Sequence, residues 1–123
     1  MSAPTVLIGI VSYRSGKMLR QCLESIRALP DRTETAVCLV DNYPESGDGR
    51  AAQAAFPDIR LIESAENDGY GAGMNRAFAS GESEYFLILN PDTEIEPGAI
   101  DTLVSVLRSA PALGIAAPRL SYP

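Results

Sequence analysis

The residues whose types and spacing could do chemistry fall at the ends of apolar runs. Phe86 to Leu89 stops abruptly in Asn90-Pro91-Asp92-Thr93, which delivers one carboxylate, Asp92, at the end of a hydrophobic segment. A carboxylate so placed suits a hard divalent cation held together with substrate phosphate oxygens. Asn-Pro-Asp by itself is an ordinary turn sequence, so its weight comes from position. Ser12 and Tyr13 stand after Val6 to Val11, Asp41 and Asn42 after Ala36 to Val40, and Asn67 and Asp68 after Ile59 to Ile62. Polar residues end many strands, but successive ends bearing hydroxyl, carboxylate or carboxamide groups favour a ligand site over chance.

The chain contains no histidine. That removes paired-histidine metal sites, Ser-His-Asp and Cys-His nucleophiles and histidine general bases, leaving carboxylates or a metal. Gly9, Gly16 and Lys17 approach the phosphate-loop pattern, but the first spacing is too long, and Met18 stands where Ser or Thr must bind the metal. Gly69, Gly71 and Gly73 alternate without the final glycine of a dinucleotide fingerprint, and they precede the third helix rather than the first. Hydride transfer is therefore disfavoured. The same glycines could present backbone N–H groups and a helix N-terminus to a diphosphate, or could simply form a tight turn before a closely packed helix.

The elements that must position these residues follow from periodicity. Val6–Val11, Ala36–Val40 and Phe86–Leu89 are short continuous apolar runs rich in β-branched and other apolar residues, the pattern of strands buried on both faces of a parallel sheet. Ile59–Ile62, with Arg60 inside it, reads as a strand nearer an edge. Met18, Leu19, Cys22, Leu23 and Ile26 mark one face of a helix that Ser15 would cap. A second helix runs over Gly49–Ala55 with Asp48 as its cap, and a third over Gly71–Ser80, stopping at Gly81. A fourth opens at Pro97 with Ile100, Leu103, Val104 and Leu107 on its apolar face. Leu113–Ala117 begins a fifth strand. This alternation predicts a doubly wound α/β fold with a mainly parallel sheet and helices on both faces, and it sets every polar pair above at a carboxyl end.

With 123 residues, 46% of them hydrophobic and 21% charged, the chain makes one domain whose core needs no disulfide or structural metal. Ten Lys and Arg against sixteen Asp and Glu give a net charge of −6, which argues against nucleic acid and anionic lipid as partners. Cys22 and Cys38 lie at apolar positions and read as small core residues in a reducing compartment. Met1 to Thr5 carry no positive side chain, and the apolar run behind them is too short for a signal sequence or a transmembrane segment. A soluble cytoplasmic chain is expected, or one held at the inner face of a membrane by a partner or a further region.

In order along almost the whole chain, Ile8-Gly9-Ile10-Val11-Ser12-Tyr13, Cys38-Leu39-Val40-Asp41-Asn42, Asn67-Asp68-Gly69-Tyr70-Gly71-Ala72-Gly73-Met74-Asn75 and Leu87-Ile88-Leu89-Asn90-Pro91-Asp92-Thr93 resemble glycosyltransferase family 2, the GT-A enzymes that use nucleotide-sugar donors. The likeness is greatest to the rhamnosyltransferase-like branch, with a dTDP- or UDP-sugar donor. The resemblance implies that Ser12, Tyr13 and Asp41 surround base and ribose, with Asp41 accepting a pyrimidine N–H. It further implies that Asn42, Gly69, Asn75 and Asn90 line the donor site and that Asp92 holds Mg2+ or Mn2+. Its implied reaction is inverting transfer to a glycan or lipid-linked acceptor. Two departures stand out. Asn90 replaces the first Asp of the D-x-D motif, and Tyr43 to Gly47 lengthen the loop after the second strand, which leaves Ser46 and Asp48 without a clear role. In this family the acceptor half and the general base lie further on, so residues 1–123 are expected to be the nucleotide-sugar binding half. Glu94 and Glu96 are assigned to the start of the fourth helix, the catalytic base is left unnamed, and self-association through uncovered apolar surface is expected. The competing readings are a catalytically inert binding or assembly module and, less well matched, a sugar nucleotidyltransferase.

Overall fold

The structure, a computed structural model, describes residues 3–122. β1 (Val6–Ser12) is buried along its whole length, as its unbroken apolar run requires, because alternate side chains enter two different layers. It is followed by α1 (Gly16–Arg27), β2 (Thr35–Asp41), a single 3-10 turn (Pro44–Ser46), α2 (Asp48–Ala55), β3 (Arg60–Glu63), α3 (Tyr70–Ala79), β4 (Tyr85–Leu89) and α4 (Ala99–Ser109). The strands are all parallel and lie in the order β3-β2-β1-β4. Ser12 pairs with Asp41, Asp41 with Glu63, and Ile10 with Leu89, so the strand ends form one continuous edge.

Val6, Ile8, Ile10 and Leu39 face α1, α2 and α4 through Leu19, Leu23, Ala52, Ile100 and Val104. Leu7, Val11, Cys38 and Val40 face α3 through Met74 and Ala77. Each of the fully buried Ile8, Ile10 and Leu39 contributes roughly 1.5–3 kcal/mol relative to exposure. The cysteines are free and buried, Cys22 in the first layer and Cys38 in the second, with the sheet between them. Among the described residues no helix is long and apolar enough to cross a membrane.

The expected doubly wound sheet is present, with differences at its margins. Leu113–Ala117 forms no strand. Pro111 and Pro118 flank the stretch, and Ala116 to Arg119 run beside Ala99, Leu103 and Val106 of α4, around a cleft of about 410 Å3. β4 is therefore an edge strand, and Ile88 is 60% exposed. The fourth helix starts at Ala99 rather than Pro97, because Gly98 takes a φ of 86°, a left-handed conformation that breaks helical continuity. Ser15 occupies the N-cap position of α1 without a side-chain bond. Asp48 lies inside the first turn of α2, behind the Gly47 cap, and its carboxylate instead accepts the Gly16 N–H at 3.2 Å.

Candidate functional site

The chain winds from β1 through β2 to β3 and then crosses to β4 on the far side of β1. The carboxyl ends of β1 and β4 flank this reversal, where open α/β sheets leave a crevice for ligands. Ser12, Tyr13 and Asn90 stand there, and Asp41 and Asn42 stand one strand away.

The two residues at the end of β2 are buried organisers of the surrounding loops. Asp41 is 1% exposed; its Oδ1 accepts the Tyr43 N–H at 2.9 Å and its Oδ2 the Gly49 N–H at 3.1 Å. A Cβ on residue 49 would lie 2.6 Å from that Oδ2, which is why α2 carries glycine at this point. Both carboxylate oxygens fold the 42–49 loop, and each keeps further lone-pair capacity. Asn42 donates its N–H to the Ser12 carbonyl at 2.9 Å and its Nδ2 to the Gly69 carbonyl at 3.1 Å, joining the ends of β1 and β2 to the start of α3. Its Oδ1 and the Ser12 Oγ are buried without a partner among the described residues. Such orphaned acceptors and hydroxyls cost about 1–3 kcal/mol each and call for an explanation.

The Asn90-Pro91-Asp92 turn is fixed from beneath. The Asn90 carbonyl accepts the Cys22 thiol at 3.8 Å and both the hydroxyl and N–H of Thr93, at 2.7 and 3.3 Å. The Ile95 N–H donates to Ser25 Oγ at 3.0 Å. Burial, opposed by the Thr93 hydrogen bond and reinforced by the Asp92 and Glu94 charges, pushes the Cys22 thiol up to about 11, so it is an uncharged donor rather than a nucleophile. Asp92, Glu94 and Glu96 are exposed. Across the crevice, the Tyr70 hydroxyl at the first residue of α3 donates to Asn90 Oδ1 at 2.7 Å, and burial raises the pKa of that phenol above its ordinary value.

On the rim, Tyr13 is 51% exposed and meets the Tyr43 ring edge to face at 5.4 Å, while the Arg14 guanidinium lies 5.3 Å from the Tyr43 centroid. Arg14 holds a left-handed φ of 56°, a strain of about 1–3 kcal/mol that such positions commonly store. Gly69 caps α3, with its N–H on Asn67 Oδ1 at 3.2 Å, and Asp68 is paired with Arg76 at 2.6 Å. Asn75 is exposed in the second turn of α3, roughly 7 Å along the axis from Tyr70.

Among the described residues no three Asp, Glu or Cys side chains gather to hold a metal. The exposed Asp92 fits a divalent cation as a single carboxylate whose other ligands are substrate phosphates and water, a common arrangement for Mg2+. Sequence reasoning did not single out Tyr43, Arg14 or Tyr70. The aromatic between two glycines at a helix start was a usable signal for Tyr70; the strained φ of Arg14 has no sequence signature.

Comparison with known proteins identifies the family and the fold. The model of glycosyl transferase family 2 matches residues 7–123. N-acetylglucosaminyl-diphospho-decaprenol L-rhamnosyltransferase of Mycobacterium tuberculosis is 31% identical over 124 residues, covering 92% of this chain and 40% of that protein; the chain thus spans about two-fifths of that relative's length. The crystal structure of S. aureus TarS 1–349 in complex with UDP-GlcNAc superposes with a TM-score of 0.75 at 19% identity, over 94% of this chain and 37% of the other. The mannosyltransferase PcManGT from Pyrobaculum calidifontis, in complex with GDP-Man and Mn2+, does so with a TM-score of 0.73 at 20% identity, over 87% and 33%. At these identities the two structures speak for the fold.

Proposed function

Because the chain belongs to glycosyl transferase family 2, we propose that it is the donor-binding half of a cytoplasmic enzyme that moves a sugar, rhamnose foremost, from a dTDP- or UDP-sugar to a glycan or lipid-linked acceptor with inversion. The rhamnosyl assignment draws on the mycobacterial relative. Ser12, Tyr13, Asp41 and Asn42 serve base and ribose, and Gly69, Asn75 and Asn90 serve the sugar diphosphate. Asp92 holds Mg2+ or Mn2+, which when bound neutralises charge on the departing diphosphate.

The chain's own contribution is to bind and orient the donor. Tyr13 offers a half-exposed ring face to the base, and Asp41 keeps the 42–49 loop folded beside it. The amides at the start of α3 favour negative charge. The reading rests on one observation above the others: two buried polar atoms without partners among the described residues, Ser12 Oγ and Asn42 Oδ1, lie at the end of the same strand pair whose neighbour β4 ends in the Asn-Pro-Asp turn. Calorimetric titration with UDP and dTDP, with and without Mn2+, tests it. Binding tightened by Mn2+ is the expected result; equal or tighter binding of NAD overturns it.

A further inference from the structure

The Tyr70–Asn90 hydrogen bond joins the two walls of the crevice and limits what Asn90 can do. α3 packs over β1 and β2 through Met74 and Ala77, whereas Asn90 follows β4, so the 2.7 Å contact from the Tyr70 hydroxyl to Asn90 Oδ1 passes across the end of β1. A carboxamide has one acceptor oxygen and one NH2 group. With Oδ1 turned to Tyr70, the group left for a ligand is Nδ2, which has no protein partner among the described residues. An N–H pair cannot ligate a cation, but it donates well to phosphate oxygen.

We propose that Tyr70 is a positioning residue that fixes the Asn90 carboxamide with its N–H groups toward the donor diphosphate, making Asn90 a hydrogen-bond donor to phosphate while Asp92 alone carries the metal. The assignment rests on the donor-site reading above. It explains chemically how an uncharged side chain can occupy the first acidic position of the motif, since an amide N–H pair donates to phosphate oxygen where a carboxylate could only accept. The backbone around Asn90 is held separately, by Cys22 and Thr93 on its carbonyl, so loss of the phenol O–H frees the side chain and leaves the turn in place.

The test is calorimetric titration of UDP into the unaltered chain and into Tyr70→Phe, Asn90→Ala and the double variant, each with and without Mn2+. Thermal melting of every variant checks folding. Tyr70→Phe should weaken UDP binding about three- to tenfold, the range expected for one hydrogen bond. The factor should be the same with and without Mn2+, because what weakens is the contact of the Asn90 N–H groups to phosphate, not the metal site on Asp92. Adding Tyr70→Phe to Asn90→Ala should change nothing further, because Tyr70 acts through Asn90. An unchanged Kd for Tyr70→Phe, a loss confined to the Mn2+-dependent part, or full additivity in the double variant overturns the assignment. Absence of UDP binding by the unaltered chain overturns the donor-site reading and this assignment together, whereas normal binding by both the unaltered chain and Tyr70→Phe overturns this assignment alone.

Discussion

Asp41 and Asp92 are both aspartates at strand ends, and burial separates their roles. Asp92 is exposed, so Asp92→Asn should leave stability within about 1 kcal/mol of the unaltered chain while removing the Mn2+-dependent part of UDP binding. A loss of several kcal/mol in urea denaturation would make it a turn residue instead. Asp41→Asn should behave in the opposite way: one carboxylate oxygen becomes an NH2 group facing the backbone N–H of Tyr43 or Gly49, and a buried mismatch of this kind costs about 2–3 kcal/mol. The same urea titration reads it. The sequence nominates both residues by type and position, and that much was legible. It gives no sign that Asp41 holds the amide of Gly49 eight residues on, because loop closure through a buried side chain has no period to detect. Tyr70 likewise sits inside a recognised motif, yet its partner Asn90 lies twenty residues away, a pairing that only the crossing of the chain creates.

At the scale of elements, the four strands and four helices were readable wherever an apolar period was strong, and the errors fall where one residue or one missing neighbour decides. Gly98 shifts the start of α4 by its φ alone, and Leu113–Ala117 has the composition of a strand without a ladder partner. What the period does not reveal is how α4 is fastened. Asp31, in the loop after α1, accepts the N–H groups of Gly98 and Asp101 at 2.7 and 2.9 Å. In return Asp101 accepts the N–H groups of Arg32 and Thr33, both at 2.9 Å, and the Thr33 hydroxyl. Asp31 satisfies helix-start donors that α4 does not satisfy locally, and Asp101 ties the Arg32–Thr33 backbone to α4 across about seventy residues. Asp31→Ala should therefore cost about 1–2 kcal/mol, the upper part of the range for a lost cap. The Thr33 hydroxyl, with the Arg32 and Thr33 amides behind it, holds the Asp101 carboxyl below its ordinary value. Its folded-state pKa is depressed, so its stabilisation is complete above the ordinary carboxylate range near 4 and is lost as pH falls through the lower folded value. The urea midpoints of the unaltered chain and Asp101→Asn should accordingly converge below about pH 4, and a gap that stays constant to pH 3 would sink the idea.

For the whole molecule, what is left uncovered matters more than what is packed. Among the described residues β4 presents an unpaired edge, Ile88 and Phe78 are 60% and 62% exposed, and Ile115, Leu120 and Tyr122 stand out from the segment after α4. Open strand edges and contiguous apolar surface favour pairing with another chain, while the net charge of −6 opposes it by a repulsion that salt screens over about 10 Å at 0.1 M. Light scattering of the 123-residue chain should therefore show a mass that rises with protein concentration and rises further with added salt. Catalysis by the same chain should lag behind its binding. A positioned general base typically supplies about 10²- to 10⁴-fold, and orientation of a second substrate supplies more, and no described residue is assigned either role. Incubated with dTDP-rhamnose or UDP-sugars and a panel of glycosyl acceptors, the chain should bind donor and hydrolyse it slowly to water, without transfer at an enzymatic rate. Fast transfer by a strictly monomeric species would refute both expectations at once, and would direct substitution first to Glu94 and Glu96 as the source of the base.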